Sequence, residues 1–274
     1  MKPADYERFT DDLVARLRAD DRVIGLVALG STAATERTPD EWSDHDVWVV
    51  TVDGAADAVR TETGWLPRSR DIVLSFTETA HGRSVIYADG HLVEYAVFDD
   101  HDLEIARANA YRVLLDDCNL ESRMQAIVHR TIAERHTDDP TGADRFGLFL
   151  AQITIGVGRH GRGELLSANE LIRGRAARTL ASLLASFVVA DVDGVLDTLD
   201  PNRRFEQAAP SVARDVDDAL NAPTLECAQS LLSIARRELS GRVAAVTADA
   251  VGAVQATIDR ARPTPPDTFY ASSG

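Results

Sequence analysis

The sequence predicts an α+β protein, in which an N-terminal mixed β-sheet with flanking helices precedes a C-terminal helical bundle. Three observations predict it. Short apolar runs rich in β-branched residues recur between residues 23 and 116, separated by turn signals. From residue 118 onward apolar residues recur instead at helical spacing. The charge divides at the same place: residues 1–117 carry 24 acids and 12 bases, residues 118–274 carry 20 and 17. The expected organisation is therefore a sheet domain over 1–117, a helical domain over 118–262, and a mobile proline-rich tail over 263–274.

Residues 4–20 open the chain as an amphipathic helix, with Phe9, Leu13, Val14 and Leu17 at helical intervals. Val23–Leu29 is a continuous apolar run that ends at Gly30, the pattern of a buried strand. A polar loop with Thr35, Thr38 and Pro39 leads to a second strand, Asp46–Val52. A short helix is expected over 55–63 and a strand over 71–76. Ser84–Tyr87 and Leu92–Phe98 read as a hairpin, with Asp89-Gly90 as its turn and His91 exposed in it. Tyr111–Asp116 is the last strand. Helices are expected over 121–136, 143–158, 163–190, 210–220, 224–240 and 242–260, with breaks at Asp139-Pro140, Gly161-Arg162-Gly163, Asp200-Pro201 and Ala222-Pro223. The segment 163–190 is apolar on several sides and belongs at the centre of the bundle.

Composition narrows the function. The chain has 274 residues, a net charge of −15, and 45% hydrophobic residues, enough for a real core. No apolar stretch approaches the ~20 residues of a membrane span, and the N-terminus lacks a signal-peptide pattern. Cys118 and Cys227 are isolated and form no disulfide framework. A cytoplasmic protein is expected, with no membrane partner. So acidic a chain repels phosphate backbones, which argues against a nucleic-acid partner, whereas a cation would be drawn to the N-terminal half.

The segment that carries chemistry runs from Gly30-Ser31 to Asp44-His45-Asp46. A glycine ending a buried strand lets the backbone approach a ligand, and Ser31 offers a hydroxyl and an N–H to phosphate oxygens. Asp44 and Asp46 are two apart on an extended chain, so their carboxylates share a face, while His45 points to the opposite face and packs there. Two such carboxylates repel unless a cation sits between them, and Mg²⁺ keeps coordination sites for substrate phosphates. Glu94, a lone charge in an otherwise apolar strand, is the candidate third carboxylate. The bland alternatives are turn residues for the two aspartates, a solvent-facing strand residue for Glu94, and a plain turn glycine for Gly30. Trp48 shares the parity of the aspartates, with a core role favoured.

This arrangement resembles the nucleotidyltransferase fold of the DNA polymerase beta superfamily. With its helical second half and the run Gly161-Arg162-Gly163-Glu164-Leu165-Leu166-Ser167-Ala168, the chain is similar to aminoglycoside and lincosamide nucleotidyltransferases. The resemblance implies an enzyme that moves a nucleoside monophosphate, AMP from ATP or that of another NTP, onto a hydroxyl of a small acceptor such as one of these antibiotics, giving resistance. It implies that Asp44 and Asp46 hold Mg²⁺, that Gly30 and Ser31 contact phosphates, and that Glu94 is either the base or a further metal ligand. It also allows a homodimer. Residues 1–117 are too acidic to hold a triphosphate alone, so arginines of the central helical segment are expected to help, with Arg173 and Arg178 singled out from the cluster Arg159, Arg162, Arg173, Arg175 and Arg178. Glu164 is an alternative base. Two other readings compete: a toxin–antitoxin or regulatory module acting on a protein, for which Arg123 and His129 loosely resemble a helical RNase feature, and a nucleotide-binding relative without catalysis.

Overall fold

The computed structural model describes residues 3–33, 38–137, 139–189, 196–197 and 199–262. Thr35 of the expected polar loop and the expected tail 263–274 lie outside the described residues. The chain divides into two compact units, Met1–Arg135 and His136–Gly274. No described helix is long and apolar enough to cross a membrane.

In the first unit, helix α1 (Pro3–Arg18) precedes strand β1 (Val23–Leu29) and a 3-10 turn (Gly30–Ala33). Strand β2 (His45–Thr51), helix α2 (Ala56–Thr61), and strands β3 (Ile72–Thr77), β4 (Gly82–Tyr87), β5 (Leu92–Asp99) and β6 (Tyr111–Asp116) follow. Helix α3 (Leu120–Thr137) closes the unit. The six strands form one mixed sheet in the order β3-β4-β5-β2-β1-β6. Among the described strands only β2 and β5 pair in parallel, and His45 lies opposite Val93 at the start of that register.

Each face of the sheet has its own core, because alternate strand residues are apolar on both sides. Val47, Val49, Val93, Tyr95 and Val97 pack with Phe9, Leu13 and Leu17 of α1 and Val59 of α2. Val27, Leu29, Val50 and Phe98 pack on the other side with Leu103 and with Leu120, Met124 and Ile127 of α3. Burying a side chain such as Leu13 or Leu120 stabilises the unit by roughly 2 kcal/mol. Helix α3 therefore belongs by its packing to the sheet unit, although its helical periodicity groups it in sequence with the bundle. The β4–β5 turn is built on Gly90, whose φ of +81° only glycine adopts freely. Its N–H reaches the Tyr87 carbonyl at 2.9 Å.

The second unit is helical: α4 (Ala143–Gly161), α5 (Leu165–Asn169), α6 (Ala177–Phe187), α7 (Phe205–Ala208), α8 (Pro210–Asn221), α9 (Thr224–Leu239) and α10 (Ala248–Ala261). The expected helix over 163–190 is interrupted, since α5 passes into a π-helical segment, Glu170–Ala176, before α6. The expected helix over 242–260 starts later, because the Thr247 hydroxyl accepts the Ala250 N–H and caps α10 there. Phe149, Ile153, Ile172, Leu180, Leu184, Leu231 and Ile258 make its core.

Candidate functional site

The acidic residues converge at one end of the sheet. Asp46, the last residue of the Asp44–His45–Asp46 motif, lies directly opposite Glu94 in the parallel β2–β5 register. Side chains at matched parallel positions share a face, and both are half-buried. Asp44 precedes β2 and is also half-buried. Gly30 sits beside them in the left-handed region at φ +49°, where a Cβ would stand 3.8 Å from Asp46 Oδ2. The glycine thus turns the chain out of β1 at a conformation other residues resist. The Ser31 hydroxyl lies 3.4 Å from the Asp44 carbonyl, to which it donates. Five expected site residues, Gly30, Ser31, Asp44, Asp46 and Glu94, are therefore brought together within the first unit.

Burial pushes the Glu94 carboxyl above its ordinary range, and the charges of Glu78 and Asp44 push it the same way. Glu78 was not part of the sequence motif. Ser84 was also missed: it is fully buried, lies opposite Glu94 in the antiparallel β4–β5 register, and its hydroxyl has no hydrogen-bond partner among the described residues. An unused donor next to the carboxylate is a feature only strand pairing reveals.

The reverse side of the motif is a polar buttress. His45 is fully buried, as its opposite-face position requires, with its ring stacked 3.7 Å from that of Tyr6. His91, expected to be exposed in the hairpin turn, is instead only 4% exposed. The turn folds it back beneath β2, where its Nε2 lies 2.9 Å from His45 Nδ1. The Thr10 hydroxyl donates to the Tyr6 carbonyl, so it accepts from His45 Nε2, 3.0 Å away. His45 then carries its proton on Nε2, and His91 Nε2–H donates to the bare Nδ1 of His45. A second proton on His45 would confront that donor. Burial, reinforced by the neighbouring ring, depresses His45 to about 3, and burial depresses His91 to about 4. Trp48 is partly buried against Phe98 in a T-shaped contact, in line with a core role, while Trp42 is 85% exposed.

The second-unit residues have partners of their own. Arg173 donates to the carbonyls of Leu220 and Ala222 and to Asn169 Oδ1, and Arg178 pairs with Asp200 at 3.1 Å. Both line a cavity of about 540 Å³ within that unit, with Phe205 and Val216. Arg159 donates to Ser167, Arg162 pairs with Glu164, and Arg175 pairs with Glu170. The Arg162 hydrogen bond holds the Glu164 carboxyl below its ordinary range. Within the first unit, Arg112 of β6 donates to the Thr32 carbonyl at 3.3 Å, bringing a cation to the 3-10 turn that the sequence reading did not single out.

No protein-family model matches the chain, and neither does any curated protein sequence. Solved structures similar to it include the following three. An aminoglycoside 6-adenyltransferase from Bacillus subtilis is 11% identical, with 93% of this chain and 98% of that chain covered and a TM-score of 0.35. A nucleotidyltransferase-like protein from Exiguobacterium sibiricum 255-15 is 11% identical, with 94% and 81% covered and a TM-score of 0.38. The complex of CdnC with HORMA-deltaN from E. coli MS115-1 is 15% identical, with 88% and 92% covered and a TM-score of 0.31.

Proposed function

We propose that the Asp44, Asp46 and Glu94 cluster is a Mg²⁺-dependent nucleotidyl-transfer site that acts on a nucleoside triphosphate and a small hydroxylated acceptor. The observation that carries this reading is the paired register of Asp46 and Glu94 on one sheet face, beside the left-handed turn at Gly30. The donor set suits the ion. Among the described residues no group of three or more His, Cys, Asp or Glu side chains forms a ready metal cage. Mg²⁺ does not require one, since it is commonly held by one or two carboxylates together with substrate phosphates. Asp44 and Asp46 would hold it, and when bound it neutralises charge on the phosphates.

The chain's own residues supply the rest. The turn at Gly30 and Ser31 brings main chain close to where phosphate oxygens would lie. Glu94 takes the proton of the acceptor hydroxyl as its oxygen bonds to the α-phosphorus, and the bond from that phosphorus to the bridging oxygen breaks to release pyrophosphate. The raised proton affinity of Glu94 supports this role, because a stronger base accepts a proton more readily near neutral pH. Arg112, which reaches the Thr32 carbonyl at the 3-10 turn, is the first unit's candidate cation for the triphosphate. The excess acidity of residues 1–117 supports a cationic acceptor, and aminoglycosides are the class to try before the lincosamides.

Pyrophosphate release from ATP and from GTP, measured with Mg²⁺ against aminoglycosides and lincosamides, tests the reading. Acceptor-dependent release that disappears in Asp46→Asn is expected. Release that persists in Asp46→Asn refutes the site.

A further inference from the structure

We propose that Tyr6 and Thr32 are positioning residues that set the separation of the Asp44 and Asp46 carboxylates, an inference that rests on the metal-site reading above. Both ends of the motif's main chain are tied to one pair of hydroxyls. The Asp46 N–H donates to Thr32 Oγ1 at 3.0 Å. Thr32 Oγ1 lies 2.7 Å from Tyr6 Oη, and Tyr6 Oη donates to the Asp44 carbonyl at 2.6 Å. Each hydroxyl has one proton. Tyr6 spends its proton on Asp44, so Thr32 donates to Tyr6 and keeps a lone pair for Asp46. The chain of protons therefore runs one way only, from Asp46 N–H through Thr32 and Tyr6 to the Asp44 carbonyl.

The clamp stands where ordinary strand pairing stops. The β1–β2 register ends at Ala28 opposite Val47, after which β1 turns away at Gly30. Beyond that point the Tyr6 and Thr32 hydroxyls bind the motif's main chain, with the Ser31 hydroxyl also reaching the Asp44 carbonyl. Tyr6 is 2% exposed and Thr32 1%, so both hydroxyls are shielded from bulk water. In such surroundings polar chains strengthen one another. The Tyr6 ring is itself held by its stack on His45, the residue between the two aspartates. Helix α1 and the 3-10 turn thus grip all three motif residues from behind. Mg²⁺-class ions demand near-ideal ligand geometry, so slack between residues 44 and 46 weakens the site without removing a ligand.

The test measures Mn²⁺ binding to the full chain by electron paramagnetic resonance, with Mn²⁺ alone as the probe. Wild type is expected to bind Mn²⁺, and Asp46→Asn to lose it. Tyr6→Phe and Thr32→Val, each removing one hydroxyl at nearly constant volume, are expected to weaken Mn²⁺ by about 3- to 10-fold while remaining folded by circular dichroism. Thr32→Ser keeps the hydroxyl and is expected to bind as wild type does. If Asp46→Asn loses Mn²⁺ but Tyr6→Phe and Thr32→Val bind normally, the clamp is refuted and the metal site stands. If Thr32→Ser is as weak as Thr32→Val, the methyl group rather than the hydroxyl matters, and the clamp is again refuted. If Asp46→Asn binds Mn²⁺ like wild type, the metal-site reading fails and the inference with it. The two threonine variants decide the matter even if Tyr6→Phe does not fold.

Discussion

Acidification from pH 7 to pH 5 should destabilise the sheet unit by about 4 kcal/mol, through the buried His45–His91 pair. Both histidines are neutral in the fold, depressed to about 3 and about 4, chiefly by burial. In the unfolded chain each titrates near ~6.5. Because the folded values lie below the unfolded ones, their contribution is complete above about pH 6.5. It is lost as pH falls from there toward about 4 and about 3. At pH 5 an unfolded histidine is almost fully protonated while the folded pair is not, which costs about 2 kcal/mol for each. Against the 5–15 kcal/mol typical of a domain, about 4 is a large share. Asp20 and Asp116, held low chiefly by hydrogen bonds from Arg22 and from the Leu120 N–H, lose their contributions only at lower pH. Exposed His101, raised by Asp53, and Glu94, raised by burial, work in the opposite direction, so a variant comparison at fixed pH removes them. Guanidinium unfolding followed by tryptophan fluorescence reads this unit, because Trp42, Trp48 and Trp65 all lie in it. Unfolding near pH 5.5 should take up close to two protons, and His91→Asn should lower that by about one. A midpoint unchanged between pH 7 and pH 5, or a pH slope unchanged in His91→Asn, would refute the reasoning.

Three further outcomes are expected. Glu94→Gln should cut turnover by at least about 100-fold while sparing Mg²⁺-dependent nucleotide binding, if it is the base. A calorimetric loss of that binding would assign it as a metal ligand instead. Gly156→Ala should destabilise the helical unit by about 1–2 kcal/mol, because its Cβ would stand 2.6 Å from Ile172 Cγ1, an overpacking cost that exceeds the gain in helix propensity. Gly147→Ala, exposed on the same helix with nothing within 4 Å of the new Cβ, should stabilise by about 1 kcal/mol. Far-UV circular dichroism during denaturation measures both glycine variants, and equal stabilisation by the two would disprove the close helix contact.

Much of the site was legible in local pattern. Period-two alternation places Asp44 and Asp46 on one face and His45 on the other, and the apolar run before Gly30 marks the strand end where the chain must turn. The lone charge in Leu92–Phe98 marks Glu94 for the same reason, since a carboxylate in a buried strand needs a use. His91 was misread because turn position alone says nothing of which way the side chain leaves. Arg173 was singled out for its charge, yet its guanidinium is occupied by the Leu220 and Ala222 carbonyls, more than forty residues away in sequence.

Sequence by itself determined the α+β class, the order of strands and helices, and the residue types gathered around the acidic motif. These follow from periodicity, turn chemistry and charge, which depend on neighbours in the chain. Tertiary structure decided that β2 pairs in parallel with β5, which sets Asp46 opposite Glu94. It decided that Leu120, Met124 and Ile127 of α3 pack on the sheet. It also brought Thr32, Tyr6 and His91 to the motif from 14 to 46 residues away. Such contacts depend on which strands become neighbours and which faces are buried, and that is settled by the burial of the whole core rather than by any local segment.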